Sequence, residues 1–318
     1  MAFLFGPVSS RRLGLSLGID LLPPKICTFD CSYCELGRTT LRTAKRKEYV
    51  PTSEVLKEAE NYLQSEAAKI DYVTVTASGE PTLHSKIGDI VSRLKDISPK
   101  PVAVITNSSL LHLPEVRQAL LKADVILPSL DAARSDTFRR INRPIRSVRI
   151  EQIISGLKDL RQEYTGQIWL EILFVQGIND RLEEVEELRK VLKAVQPDRI
   201  QLNTVDRPPA EDYASPLSSA QLETIREVLG ERVEVIVDFK RRIQQGFRPL
   251  VESEILAMLA RRPCTVEDIS GLLNVSQDEI SAVMESLIKK HRAQCKAYDQ
   301  RVFYIIPELN LDLGRKRL

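Results

Sequence analysis

The 318-residue chain lacks any apolar run approaching the roughly 18 residues of a membrane span. No secretory leader is expected, because "MAFLFGPVSSRR" turns polar too soon for a signal peptide. A cytoplasmic protein with no membrane partner is expected. There is no surplus of charge either: 46 Lys and Arg face 44 Asp and Glu, a net of +2. Bulk charge therefore does not announce a nucleic-acid partner, and each basic cluster (42–47, 143–149, 240–242, 315–317) reads singly as solvated surface or loose tail. A disulfide framework is missing as well. The five cysteines are odd in number, and three fall within eight positions, at 27, 31 and 34. In a reducing compartment that crowding points to metal or redox chemistry.

What is present, from about residue 14 to 240, is an alternation of β-rich and amphipathic segments. Strands are expected at 13–19, 71–77, 101–107, 124–130, 167–175 and 198–205. Helices are expected at 52–67, 85–96, 114–122, 149–163 and 181–194, where apolar residues recur three or four apart, as in Val55, Ala59 and Leu63. Six strands with intervening helices read as an α/β fold with a parallel sheet, open or curled toward a barrel. Ligands in such folds sit beyond the carboxyl ends of the strands. Those ends read "ASGEP", "TNSS", "PSLDA", "VQGIND" and "NTVDRPP", a rim of small, polar, turn-forming residues.

After "KRRIQQGFRPL" (240–250) the pattern changes. A helix is expected over 252–261, Thr265 and Ser276 each open a further helix with an acid three residues on, and two β-like segments follow around a polar turn. Three helices and a hairpin suggest a small winged-helix (α+β) domain, with Gln277–Lys290 in the recognition-helix place. The expected domains are 1–245 and 246–318. Cys264 and Cys295 fall in the second and read as buried structural thiols.

The three clustered thiols stand as C-x3-C-x2-C. A structural zinc site needs four ligands, and His84 is the nearest fourth candidate. A cubane iron–sulfur cluster can instead be held at three irons by three thiolates, its fourth iron left open. The three-plus-open reading is preferred.

The loop "KICTFDCSYCELGRTT" with "SGEPTLH", "TNSSLL", "PSLDA", "INRP", "IWLEILFVQGIND" and "LNTVDRPP" resembles the radical SAM superfamily. Over residues 1–240 it is similar to a branch related to the wyosine-base synthases of tRNA modification. The resemblance implies a partial (β/α)6 TIM-like barrel. It implies one [4Fe-4S] cluster on Cys27, Cys31 and Cys34, with S-adenosylmethionine cleaved reductively to a 5′-deoxyadenosyl radical that takes hydrogen from a substrate. A flavodoxin- or ferredoxin-like electron donor is implied too. Ser78 stands where the superfamily has a first glycine, whereas Gly79, Glu80 and Pro81 match its turn for the methionine amino group. By position, Tyr33 lines the adenine side through its backbone, and Ser129 and Asp131 face the ribose or carboxylate. Asn107, Glu171 and Asn203 are polar candidates for cofactor or substrate. The extra cysteines that give wyosine synthases a second cluster are absent, so that reaction is not carried over. The expected substrate is an RNA such as tRNA. A peptide gripped by the winged helix, a small molecule, or a non-enzymatic zinc-binding regulator are the alternatives. A basic stripe through Lys289, Lys290, Arg292, Lys296 and Arg301 would favour nucleic acid.

Overall fold

In the computed structural model, which describes residues 3–236, 252–273 and 275–307, the β-branched runs pair as the alternation demands. Along the chain come β1 (Leu4–Ser10), β2 (Gly14–Asp20), β3 (Ile26–Cys27), β4 (Leu41–Arg42), α1 (Thr52–Glu66), β5 (Tyr72–Thr76), α2 (Ile87–Ile97) and β6 (Val102–Thr106). There follow α3 (Pro114–Leu120), β7 (Val125–Pro128), α4 (Ser135–Ile141), α5 (Ile150–Glu163), β8 (Gln167–Phe174), α6 (Leu182–Val195), β9 (Arg199–Thr204), α7 (Ser219–Leu229) and β10 (Val233–Val235). The large sheet runs β1-β2-β5-β6-β7-β8-β9-β10. Every pairing from β2 to β10 is parallel, and only β1 runs antiparallel, against β2. β1 and β10 stand at opposite edges, so the sheet is a partial barrel of the expected (β/α)6 kind with one strand added on each side.

The helices cover the outside of this sheet with their apolar stripes. Val55, Ala59 and Leu63 of α1, and Ile87, Ile90, Val91 and Leu94 of α2, are buried at helical spacing. On the other face, the amino-terminal halves of the strands meet as a core of Leu13, Ala103, Val125, Leu127 and Trp169, with Tyr72 and Ile105 against it. Trp169 is thus a core residue, and the Arg199 guanidinium stacks 4.4 Å from its ring centroid. Apolar filling at the amino end leaves the carboxyl ends to polar groups, which is where a site is built.

The chain divides into two compact units, Met1–Phe239 and Lys240–Leu318. The expected boundary at 245/246, the segment 240–250 and the basic tail 315–317 lie outside the described residues. The second unit holds α8 (Glu252–Leu259), α9 (Val266–Leu273), α10 (Gln277–Lys289), β11 (Gln294–Tyr298) and β12 (Arg301–Ile305). Its two capping residues act as read. Thr265 Oγ1 accepts the Asp268 amide while Asp268 returns a carboxylate oxygen to the Thr265 amide. Ser276 Oγ accepts the Glu279 amide at 3.3 Å. Ile255, Ile269, Ile280, Met284 and Leu287 form its core with Cys264. Cys264 is buried as expected, but Cys295 is exposed, on β11 where it pairs with Tyr304. The anticipated basic stripe is partly neutralised. Glu252 pairs with both Lys290 (3.2 Å) and Arg292 (2.6 Å).

Candidate functional site at the cysteine loop

Cys27 ends β3, a two-residue strand beside β4, and Cys31 and Cys34 follow in the loop that leaves it. The loop is seated by Gly79. An added Cβ there would fall 1.8 Å from the Ile26 carbonyl oxygen, so only glycine allows the two backbones to touch. The Glu80 amide then donates to that carbonyl at 3.2 Å. Ser78, where a glycine was expected, is held by Asp20: its hydroxyl donates to Oδ2 at 2.6 Å and its amide to Oδ1 at 2.9 Å.

All three cysteines keep part of their surface exposed, yet their sulfurs lie deep. Burial, then the Glu80 carboxylate, pushes the Cys27 thiol up to about 12. Cys31 is raised by burial and then by the charges of Cys27 and Cys34, which places the three sulfurs in one shared environment. Among the described residues, no three His, Cys, Asp or Glu side chains converge tightly enough for a single metal ion. His84, the nearest alternative ligand, has both ring nitrogens engaged, with the Val50 carbonyl at 2.9 Å and the Lys86 amide at 3.3 Å. Burial lowers its pKa.

Glu80 is wholly buried. Its Oε1 accepts from the Thr82 hydroxyl (2.6 Å), the Thr82 amide (3.1 Å) and the Thr106 hydroxyl (2.7 Å), and its Oε2 accepts the Asn107 amide at 2.7 Å. Burial raises its pKa, and these four donors oppose that rise. Pro81 opens the short helical turn that follows, and Glu80 caps it. Asn107 Nδ2 reaches the Thr28 hydroxyl (2.9 Å) and Cys27 Sγ (3.4 Å). Glu80, Asn107 and Cys27 are therefore linked across three strand ends.

Asp131 has both oxygens taken. Oδ2 accepts from the Tyr33 phenol (2.5 Å) and Asn142 Nδ2 (2.6 Å), and Oδ1 accepts the Leu173 amide (2.9 Å). Burial drives its pKa up to about 6 against those bonds. Tyr33 is raised well above its usual value by burial and then by Asp131. Asn142 also reaches Cys31 Sγ at 3.5 Å. Ser129, Tyr33, Asp131 and Asn142 line one pocket with Asn107 and Phe29. Glu171 meets Arg12 and Asn203 rather than a thiol, although its charge reaches Asp131 and Tyr33. Arg12 lies 2.9 Å from Glu171 and Asn203 Nδ2 lies 3.1 Å from it.

Ion pairs lash the loop down. Arg143 meets Asp30 and Glu211, Arg38 meets Glu211 at 3.0 Å, and Arg207 meets Glu35 at 3.2 Å. The arginines of "INRP" and "DRPP" thus pair with local acids. Sequence reasoning missed Lys25, Arg12 and Asn142, each of which sits inside or beside a quoted motif but carries no pattern of its own.

The chain matches the radical SAM superfamily over residues 21–192, more than half its length. It belongs to the radical SAM superfamily. A UPF0026 protein of Methanocaldococcus jannaschii is 34% identical over 313 residues, 96% of each chain. A Brachyspira hyodysenteriae protein named GTPase Obg is 33% identical over 92% of this chain, which spans only 43% of that relative. Among solved structures, a radical SAM methyltransferase from Sphaerobacter thermophilus is similar in fold, with TM-score 0.53 and 16% identity over 69% of this chain and 66% of that one. The radical SAM chain is accordingly an enzyme of that class. No helix among its described residues is long and apolar enough to cross a membrane.

Proposed function

We propose that Cys27, Cys31 and Cys34 hold a [4Fe-4S] cluster and that the adjoining rim binds S-adenosylmethionine. Three sulfurs of one short loop, each met by a side-chain N–H donor, are the observation that carries this. Cys31 is raised by both Cys27 and Cys34, so thiolates gathered there call for a cationic partner. When bound, the pair supplies one-electron reductive cleavage of S-adenosylmethionine and hydrogen abstraction from a substrate.

The protein's own share is to hold and orient. Gly79 lets the loop lie against the second rim turn. Glu80 and Pro81 fix that turn for the methionine amino group, the buried Glu80 carboxylate being held from within by four donors. Ser129 makes no side-chain hydrogen bond among the described residues and faces the pocket, so it suits a ribose hydroxyl. Asp131 positions Tyr33 and Asn142 rather than meeting a ligand itself. Glu171, Asn203 and Arg12 form a polar floor within the barrel for substrate. The described part of the second unit, within 252–307, is read as a winged helix.

The substrate class that fits is RNA. Leu41, Arg42, Lys45 and Lys47 are exposed on the segment that pairs with Ile26–Cys27, directly beside the cysteine loop, and such a basic edge attracts a phosphate backbone. Charge reversal at Arg42 and Lys45 should weaken binding of bulk tRNA and flatten its salt dependence while leaving cleavage of S-adenosylmethionine intact. Unchanged binding in the double variant would remove RNA from consideration.

A further inference from the structure

Lysine is almost never buried without a partner, yet Lys25 is 8% exposed. Its φ is 64°, in the left-handed region where glycine is free and a side chain is strained. Strain of that kind persists where the surroundings fix it and a function uses it. The surroundings are plain. The Lys25 amide donates to the Ser78 carbonyl at 2.7 Å, and its own carbonyl accepts the Thr40 and Leu41 amides at 3.1 Å each. The use lies at the other end, where Nζ donates to Cys34 Sγ at 3.0 Å. Among the described residues the ammonium makes no ion pair with a carboxylate. A buried cation facing a neutral thiol would be left uncompensated. The arrangement makes electrostatic sense only when the Cys34 sulfur carries negative charge, as a metal-bound thiolate does.

The other two sulfurs are served in the same way. Asn107 Nδ2 lies 3.4 Å from Cys27 Sγ, and Asn142 Nδ2 lies 3.5 Å from Cys31 Sγ. Each amide is anchored by a second bond, Asn107 to Thr28 at 2.9 Å and Asn142 to Asp131 at 2.6 Å. Three sulfurs thus receive one side-chain N–H donor apiece, from three separate segments of the chain, and Cys27 takes a backbone bond from Phe29 as well.

Resting on the reading that these cysteines carry the cluster, we propose that Lys25, Asn107 and Asn142 form a collar of one side-chain donor per sulfur that raises the cluster's reduction potential, with the Lys25 charge as its largest element. Reduction adds one electron, supplied by a low-potential flavin or iron–sulfur protein, and moves no proton. Donors and a cation at the sulfurs favour the more negative, reduced state. Lys25 is a positioning residue in this scheme, since it acts on the cluster through Cys34.

The test uses the full chain, reconstituted anaerobically without S-adenosylmethionine, as wild type, Lys25→Met, Lys25→Gln and Lys25→Arg. Iron content is measured first, and the midpoint is then read by dithionite titration with mediators and electron paramagnetic resonance. Lys25→Met should hold the cluster at a more negative midpoint, with at least a tenfold fall in the reduced-to-oxidised ratio at fixed potential, 59 mV for one electron. Lys25→Arg should stay near wild type. Lys25→Gln, which keeps an N–H and loses the charge, should follow Lys25→Met and decides the matter if the methionine variant takes up no iron. Wild-type midpoints in the uncharged variants overturn the collar. A wild-type protein that binds no iron overturns the cluster reading beneath it.

Discussion

Replacing Gly79 by alanine tests how the cysteine loop is seated. The new Cβ would lie 1.8 Å from the Ile26 carbonyl oxygen and 2.7 Å from its carbonyl carbon, whereas real Cβ contacts stay above 3.0 Å. Ile26 must therefore recede by at least 1.2 Å, the difference between 3.0 and 1.8. Both obstructing atoms are backbone, so no rotamer change relieves them. The retreat breaks the bond from the Glu80 amide to Ile26 and carries Cys27, the next residue, away from its neighbours. Overpacking and one lost hydrogen bond together cost about 2–4 kcal/mol. A displacement near 1 Å in a site that must converge on one object costs on the order of 10²-fold in function. Urea unfolding of the apoprotein and iron per chain after anaerobic reconstitution are the two measurements. The expected result is a folded protein with a lower midpoint and little iron. Wild-type stability with full iron content would refute the seating argument.

Three further outcomes follow from the geometry. Asp131, buried with its pKa lifted from 3.8 to about 6, binds its proton more tightly when folded than unfolded, so it favours folding below pH 4 and that contribution, about 3 kcal/mol, is lost as pH rises through 6. Asp131→Asn should flatten the stability–pH curve of the apoprotein between pH 4 and 7; parallel curves for the two proteins would contradict this. Arg12→Met should strand the Glu171 carboxylate, their side chains being only 18% and 14% exposed, at about 2–3 kcal/mol after allowing for that exposure, and Arg12→Met with Glu171→Met should recover most of it. Additive losses in the double variant would show that the pair is not coupled. Arg143→Ala removes the tie from Asp30 to Glu211 and should speed iron loss to a chelator; an unchanged rate would show that the ion pairs do not hold the loop.

The six central strands and five of the first unit's helices were legible because burial on a sheet and on an amphipathic helix leaves the two periods of 2 and 3.6 in the sequence. β1 was not, since Gly6 and Pro7 interrupt it and its pairing is with β2 next door rather than through a helix. α4 and α7 were also missed; α4 is only seven residues long, too few for a period to declare itself. At the site, thiols and the Gly79–Pro81 turn were readable because their chemistry is tied to spacing. The partners of those groups were not. Asp131 reads as a rim ligand, yet it is consumed by Tyr33 and Asn142, which lie 98 and 11 residues away in sequence. Lys25 reads as an ordinary surface lysine until its left-handed backbone and its sulfur partner are seen together.

The central claim is that Cys27, Cys31 and Cys34 together hold a redox cluster that drives cleavage of S-adenosylmethionine. The most direct measurement is anaerobic iron and sulfide reconstitution of the wild type and of each single Cys→Ser variant, followed by dithionite reduction with S-adenosylmethionine. Iron and sulfide in the stoichiometry of one [4Fe-4S] cluster are expected in the wild type, with 5′-deoxyadenosine and methionine released, and loss of both products is expected in all three variants. Wild-type protein that takes up no iron, or product release that survives loss of any one of the three thiols, would contradict it.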